Sequence, residues 1–175
     1  MMRSLIAILL FASVAVAEAK KVNIARIAPR PGDVATIDGM VKAYYEVITG
    51  PAGPRDWARD ATLYKPGTRF VAISTEEGKL VIRNLDHQGY VDWSAPSLSQ
   101  GFFEKEIRRE EWRWGSLAQV RSSYETRKTP DGPIVGRGVN TLELIHDGTR
   151  WWIVGATWQD ETAELKLPPA LAPAP

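Results

Sequence analysis

Apolar residues recur at three- and four-residue steps after Asp33: Val34, Ile37, Val41, Tyr44 and Ile48, with Met40 and Tyr45 beside them. That spacing predicts an amphipathic helix with one apolar face. Asp33 is a suitable N-cap and Gly50-Pro51 a stop. The stretch "GPRDWARD" (Gly53 to Asp60) opens on Pro54, which suits the first turn of a short helix. Ala61 to Tyr64 reads as a short extended piece, turned by Pro66-Gly67. Arg69 to Ser74 and Lys79 to Arg83 are β-rich runs flanking "TEEG", which predicts a hairpin. Leu85 to Leu98 reads as a helix capped by Asp86, with Gly89 and Pro96 counting against it.

The period changes in the last third. "FFEKEIRREEWRW", "LAQVRSSYETRK", "VGRGVNTLELIH" and "RWWIVGATWQD" are long segments rich in β-branched and aromatic residues. Gly115-Ser116, "TPDGP" and "DGT" separate them with turn chemistry. The first segment has Glu/Arg spacing that also suits a helix. Strand is preferred because Trp112 and Trp114 lead straight into the Gly-Ser turn. In the last segment, simple alternation puts Trp152, Val154, Ala156 and Trp158 on one face and Trp151, Ile153, Gly155 and Thr157 on the other. Both faces then carry apolar bulk and both should be covered. Helices followed by a long antiparallel meander give an α+β fold with helices on one face of a sheet.

Composition adds the ends and removes some chemistry. Arg3, the apolar run Leu5 to Val16 and two small-x-small sites before residue 20 read as a cleaved secretory signal over residues 1–19. The mature chain is then expected to be periplasmic or secreted, with no membrane contact after cleavage. Residues 20–32 read as a linker, 33–162 as one domain and 163–175 as a disordered Pro/Ala tail. The chain has no cysteine, which removes disulfides, thiol catalysis and thiolate zinc sites. A net charge of +1, with Arg108, Arg109 and Arg113 interleaved among glutamates, gives no track for nucleic acid. No spacing suggests a metal site, and no cofactor fingerprint is present. "GRG" (Gly136 to Gly138) opens a strand, so it cradles no phosphate.

"PRDWARDATLYKPGTRF" after the first helix, "GSLAQVRSSYETR" and "GRGVNTLELIHDGTRWWIVGATWQDE" resemble the nuclear transport factor 2-like superfamily, in its SnoaL-like branch. The resemblance covers roughly residues 33 to 161. It implies a cone: a curved antiparallel sheet wrapped around N-terminal helices, with an apolar pocket inside. It also implies a homodimer paired through the sheet. It says little about function, because this fold hosts enzymes, ligand binders and subunit scaffolds.

Candidate residues follow from that pocket. Ketosteroid isomerase-like members use an aspartate base with a tyrosine and a protonated acid. Tyr44 or Tyr45 can supply the phenol, and Asp60 (or Asp92) the acid. Their plain alternative is core tyrosines and a surface turn aspartate. Scytalone dehydratase-like members use paired histidines; here only His87 and His146 exist, and His87 is the one placed to face a pocket. Asn140 shares a face with Leu142 and Leu144, so its amide needs a ligand, a neighbouring backbone group or a tyrosine hydroxyl. Arg121 meets either a carboxylate ligand or a surface glutamate. Trp57, Tyr64, Trp93, Trp112, Tyr124 and Trp158 complete an aromatic set that walls a pocket or simply fills a core. Three functions remain open on the sequence: a pocket protein for an apolar or aromatic ligand, an isomerase- or hydratase-type enzyme built on Tyr45, Asp60 and His87, and a dimeric interaction module.

Overall fold

The computed structural model describes residues 21–173; the expected leader lies outside the described residues. A single turn, α1 (Pro31–Val34), precedes the main helix α2 (Ile37–Ile48). The cap differs from the sequence expectation. Thr36, not Asp33, accepts from Gly39 N at 3.0 Å. Asp33 is instead gripped by Arg59, Nε to Oδ2 at 2.8 Å and Nη2 to Oδ1 at 2.9 Å. The Arg59 hydrogen bonds hold the Asp33 carboxyl below its usual range. Glu46 takes a further Arg59 proton at 2.7 Å. Asp33→Ala should therefore cost about 2 kcal/mol, because it strips a mostly buried guanidinium of its bidentate partner but leaves Glu46. Urea denaturation of that variant reads the loss.

Helix α3 (Trp57–Ala61) is capped by Asp56, which accepts from Arg59 N. Before it, Arg55 donates to Ile48 O at 2.7 Å and to Leu98 O. One guanidinium thus satisfies carbonyls at the C-terminal ends of two helices, where no intrahelical donor exists. The second of these is α4 (His87–Leu98), capped by Asp86 as its sequence predicts.

Seven strands form one sheet: β1 (Gly50–Ala52), β2 (Tyr64–Glu76), β3 (Lys79–Leu85), β4 (Gln100–Trp114), β5 (Leu117–Arg127), β6 (Ile134–His146) and β7 (Trp151–Asp160). Their order is β1-β4-β5-β6-β7-β2-β3. The β2–β3 hairpin turns on Glu77 and Gly78, both at positive φ, as a tight two-residue turn requires. β4 to β7 form the expected antiparallel meander. β2 joins β7 in parallel, so the sheet is mixed, not purely antiparallel. Register shifts interrupt the β4–β5, β5–β6, β6–β7 and β2–β7 pairings, and such bulges bend strands into a curved sheet.

The bulge in β7 corrects the reading of its tryptophans. Glu143 pairs with Gly155 and Leu144 with Ile153, so Val154 is the extra residue. Alternation changes face there. Trp151, Ile153 and Ala156 all join the core, with Trp158 packed against it. Trp152 is left on the other side, under the Arg150 guanidinium at 3.6 Å. The strand then has one apolar face, and the case for a second, dimer-covered aromatic face loses this support.

The tail also departs from expectation. Pro169–Leu171 form a 3₁₀ turn, Leu171 is buried, and Ser123 donates to its carbonyl at 2.6 Å.

Candidate functional site

A cavity of about 530 Å³ opens between α2, α4 and the strands β4 to β7. Its walls are aromatic: Tyr44 and Ile48 from α2, Tyr90 and Trp93 from α4, Phe102 from β4 and Trp158 from β7. Its polar groups come from the sheet: Glu104, Tyr124, Arg137, Asn140 and Asp160. An apolar hollow with a few converging polar groups is the usual form of a small-molecule site.

Glu104 is the altered acid of this cavity. Removal from bulk solvent pushes its carboxyl up to about 8, and the Asp160 charge adds to this while the Asn140 amide opposes it. Glu104 is therefore mostly protonated at neutral pH and offers an O–H donor to the cavity. Asn140 is held from both sides: Tyr44 donates to its Oδ1 at 3.2 Å, and its Nδ2 donates to Tyr45 Oη at 3.2 Å. The chain continues through Ser122, 2.7 Å from Tyr45, to Glu106 at 2.6 Å. Burial raises both tyrosines, so both phenols stay protonated. The Asn140 amide thus meets tyrosine hydroxyls, one of the partners its sequence position allowed.

Two glycines shape the rim. A Cβ on Gly138 would stand 2.2 Å from Tyr124 Oη, so only glycine lets that ring lie across β6. The Tyr124 hydroxyl then reaches Asp160 Oδ1 at 2.6 Å. Gly136 likewise makes room for the Thr126 hydroxyl. Between them Arg137 lines the cavity with a buried Nε that has no hydrogen-bond partner among the described residues. These glycines are the "GRG" motif, which serves close packing.

The sequence-derived candidates divide. Tyr44, Trp93, Tyr124, Asn140 and Trp158 line the cavity. Tyr45 does not; its ring is buried and its hydroxyl is spent on Ser122 and Asn140. Trp57 is buried against Tyr90, edge to face at 6.2 Å. Trp112 is exposed near the tip of β4, and Arg121 pairs at the surface with Glu110 at 3.4 Å. Asp60 is no surface turn residue: it is fully buried, with His87 Nε2 at 2.6 Å from its Oδ2 and Tyr64 Oη at 3.4 Å from its Oδ1. His87 and Tyr64 line a separate groove and not the cone cavity. Glu104, Arg137 and Asp160 had no sequence signal of their own. Glu104 sits in the charged run "EKE", which reads as solvated surface.

No family model matches the chain, and no curated protein matches it. Solved structures do. One is a nuclear transport factor 2-like protein of unknown function from Pseudomonas putida KT2440, 14% identical, with TM-score 0.55 over 78% of this chain and 94% of that one. Another is the yeast UBP3-associated protein BRE5, 12% identical, with TM-score 0.53 over 71% and 93%. A third is a protein of unknown function from Mycobacterium tuberculosis, 18% identical, with TM-score 0.52 over 73% and 71%. At such identities the likeness concerns architecture alone. The chain therefore has the nuclear transport factor 2-like fold.

Proposed function

We propose that the protein binds a small, flat, largely apolar molecule in the cone cavity and holds one of its oxygens with the Glu104 carboxylic acid. The observation that carries this reading is the Glu104 carboxyl, pushed up to about 8 by burial, facing an aromatic-walled hollow beside an amide and a phenol already locked in place. A neutral donor of that kind suits a carbonyl or phenol oxygen. The leader-like start of the sequence supports a periplasmic or secreted setting for this binding.

A fluorescent phenol, 2-naphthol, tests it. Saturable quenching of tryptophan emission is expected, because Trp93 and Trp158 line the cavity and lie 6.1 Å apart. Trp158→Leu should weaken binding about tenfold, by loss of aromatic contact and buried area. Absence of saturable quenching in the wild type would sink the proposal.

A second reading rests on Asp160. An acid held neutral and another carboxylate in the same cavity are the two parts a proton transfer needs. Turnover of an enolisable ketone, lost in both Glu104→Ala and Asp160→Asn, distinguishes that enzyme from a binder.

A further inference from the structure

A second hollow, a groove of about 920 Å³, lies where α3, β2 and the start of α4 meet the 21–30 segment; it shares no lining residue with the cone cavity. Phe70 and Tyr90, stacked at 4.7 Å, stand between the two. Arg26, Lys65, Arg69 and Arg150 line the groove against a single carboxylate, that of Asp86. Asp86 is already occupied with capping α4.

Arg150 is the telling cation. It is nine-tenths buried, yet it forms no ion pair among the described residues. Its Nε and Nη2 donate to the carbonyls of Trp151 and Thr62, and its plane stacks on Trp152. Neutral carbonyls meet its protons, and Asp147, bonded to the Arg150 backbone N–H and to Trp152 Nε1, offsets part of its charge; burial outweighs this and holds the guanidinium below its usual range. A buried charge is costly without a directly paired counter-charge.

The groove also holds His87, whose Nε2 is tied to the buried Asp60. Burial pushes the Asp60 carboxyl up, with His87 and Tyr64 opposing. An ionised Asp60 beside a neutral imidazole would leave a net negative charge in the core. One added proton removes it. Whichever partner then carries that proton on the shared bond, Nδ1 of His87 bears a hydrogen. Nδ1 has no partner among the described residues, so that hydrogen is available to a ligand at the groove.

We propose that this groove is an anion site, taking a small organic carboxylate or phosphate between Arg150 and His87 Nδ1–H, and that binding takes up a proton on the Asp60–His87 pair. The charged and titratable groups around the pair and the groove are Asp56 and Asp60 beside and within α3, Tyr64, Lys65 and Arg69 from β2, Asp86 and Tyr90 before and within α4, Asp147 and Arg150 before β7 and Arg26 from the 21–30 segment. Cations dominate on the groove side. The apolar lining of Ile24, Leu85 and Trp152 favours an organic carboxylate over free phosphate.

The test uses the full mature chain with benzoate and inorganic phosphate as probes, followed by calorimetry in buffers of different ionisation enthalpy and by NMR of the His87 ring. Saturable shifts of the His87 signals are expected with benzoate, with net proton uptake. Tighter benzoate marks the site as one for organic carboxylates, and tighter phosphate marks it as one for phosphate esters. Lys65→Ala with Arg69→Ala, both exposed, should weaken binding about tenfold. Asp60→Asn should keep benzoate binding but abolish proton uptake, because an amide N–H donating to Nε2 fixes the neutral imidazole with its hydrogen on Nδ1; loss of structure alone would not do this. The proposal is overturned if neither probe shifts the His87 signals, if the lysine–arginine double variant binds like wild type, or if Asp60→Asn still takes up a proton.

Discussion

Phe70→Ala is expected to lower the unfolding free energy by about 3–5 kcal/mol, seen as a lower urea midpoint. The ring is 1% exposed. It stacks face to face on Tyr90 at 4.7 Å and meets the Tyr64 edge at the same distance. Truncation removes both contacts and leaves a void that neighbours tied elsewhere cannot close. Tyr64 is hydrogen-bonded to Asp60, and Tyr90 is part of helix α4. The void would also join the cone cavity to the groove. Binding of 2-naphthol in the cavity and benzoate in the groove, independent in wild type, should become interdependent in this variant. A loss below about 1 kcal/mol would show that the site collapses freely and that Phe70 is no wall.

The elements of this fold are legible wherever period and turn chemistry agree. The α2 face, the Asp86 cap, the Glu77-Gly78 hairpin and the meander all follow from local patterns. What escapes the sequence is set by long-range geometry. A one-residue bulge at Val154 moves Trp158 onto the face opposite Trp152, and nothing local announces it. Parallel pairing of β2 with β7 depends on strands far apart in the chain. The same holds for the site. Asn140 was visible as a polar group on an apolar face, and its partners are Tyr44 and Tyr45 from a helix 95 residues away or more. Glu104 was invisible because its neighbours Lys105 and Glu106 mimic a solvated strand. Alternation along β4 puts Glu104 on the inner face with Phe102, and Glu106 on that face too, against buried Ser122; which face is inner is set by the packing of α2 and α4. Asp60 and His87 were each conspicuous alone, but their 2.6 Å contact joins two elements no motif connects.

Glu104 gives a large pH effect. Its carboxyl titrates near 8 in the folded chain, against 4.5 for the ordinary group. Across that window the folded state holds a proton that the unfolded state has released. Stability contributed by the neutral acid is therefore complete below about pH 4.5 and lost as pH rises through about 8. The loss accumulates at about 1.4 kcal/mol per pH unit, to a few kcal/mol in all. Asp60 acts in the same direction, whereas Asp33 and Asp147, both held low, act only in acid. Comparison with Glu104→Gln separates these contributions. Wild type should lose stability between pH 5 and pH 9 by more than the glutamine variant does, since the amide cannot ionise. Ligand binding should follow the same curve. Deprotonation above about pH 8 removes the donor and places a negative charge against the bound oxygen. Binding of 2-naphthol at pH 7 and pH 9 should then differ in wild type and stay level in Glu104→Gln, which keeps an N–H to donate. Equal pH dependence in both proteins would mean that the carboxyl is ionised throughout, and the neutral-acid basis of the pocket would fall with it.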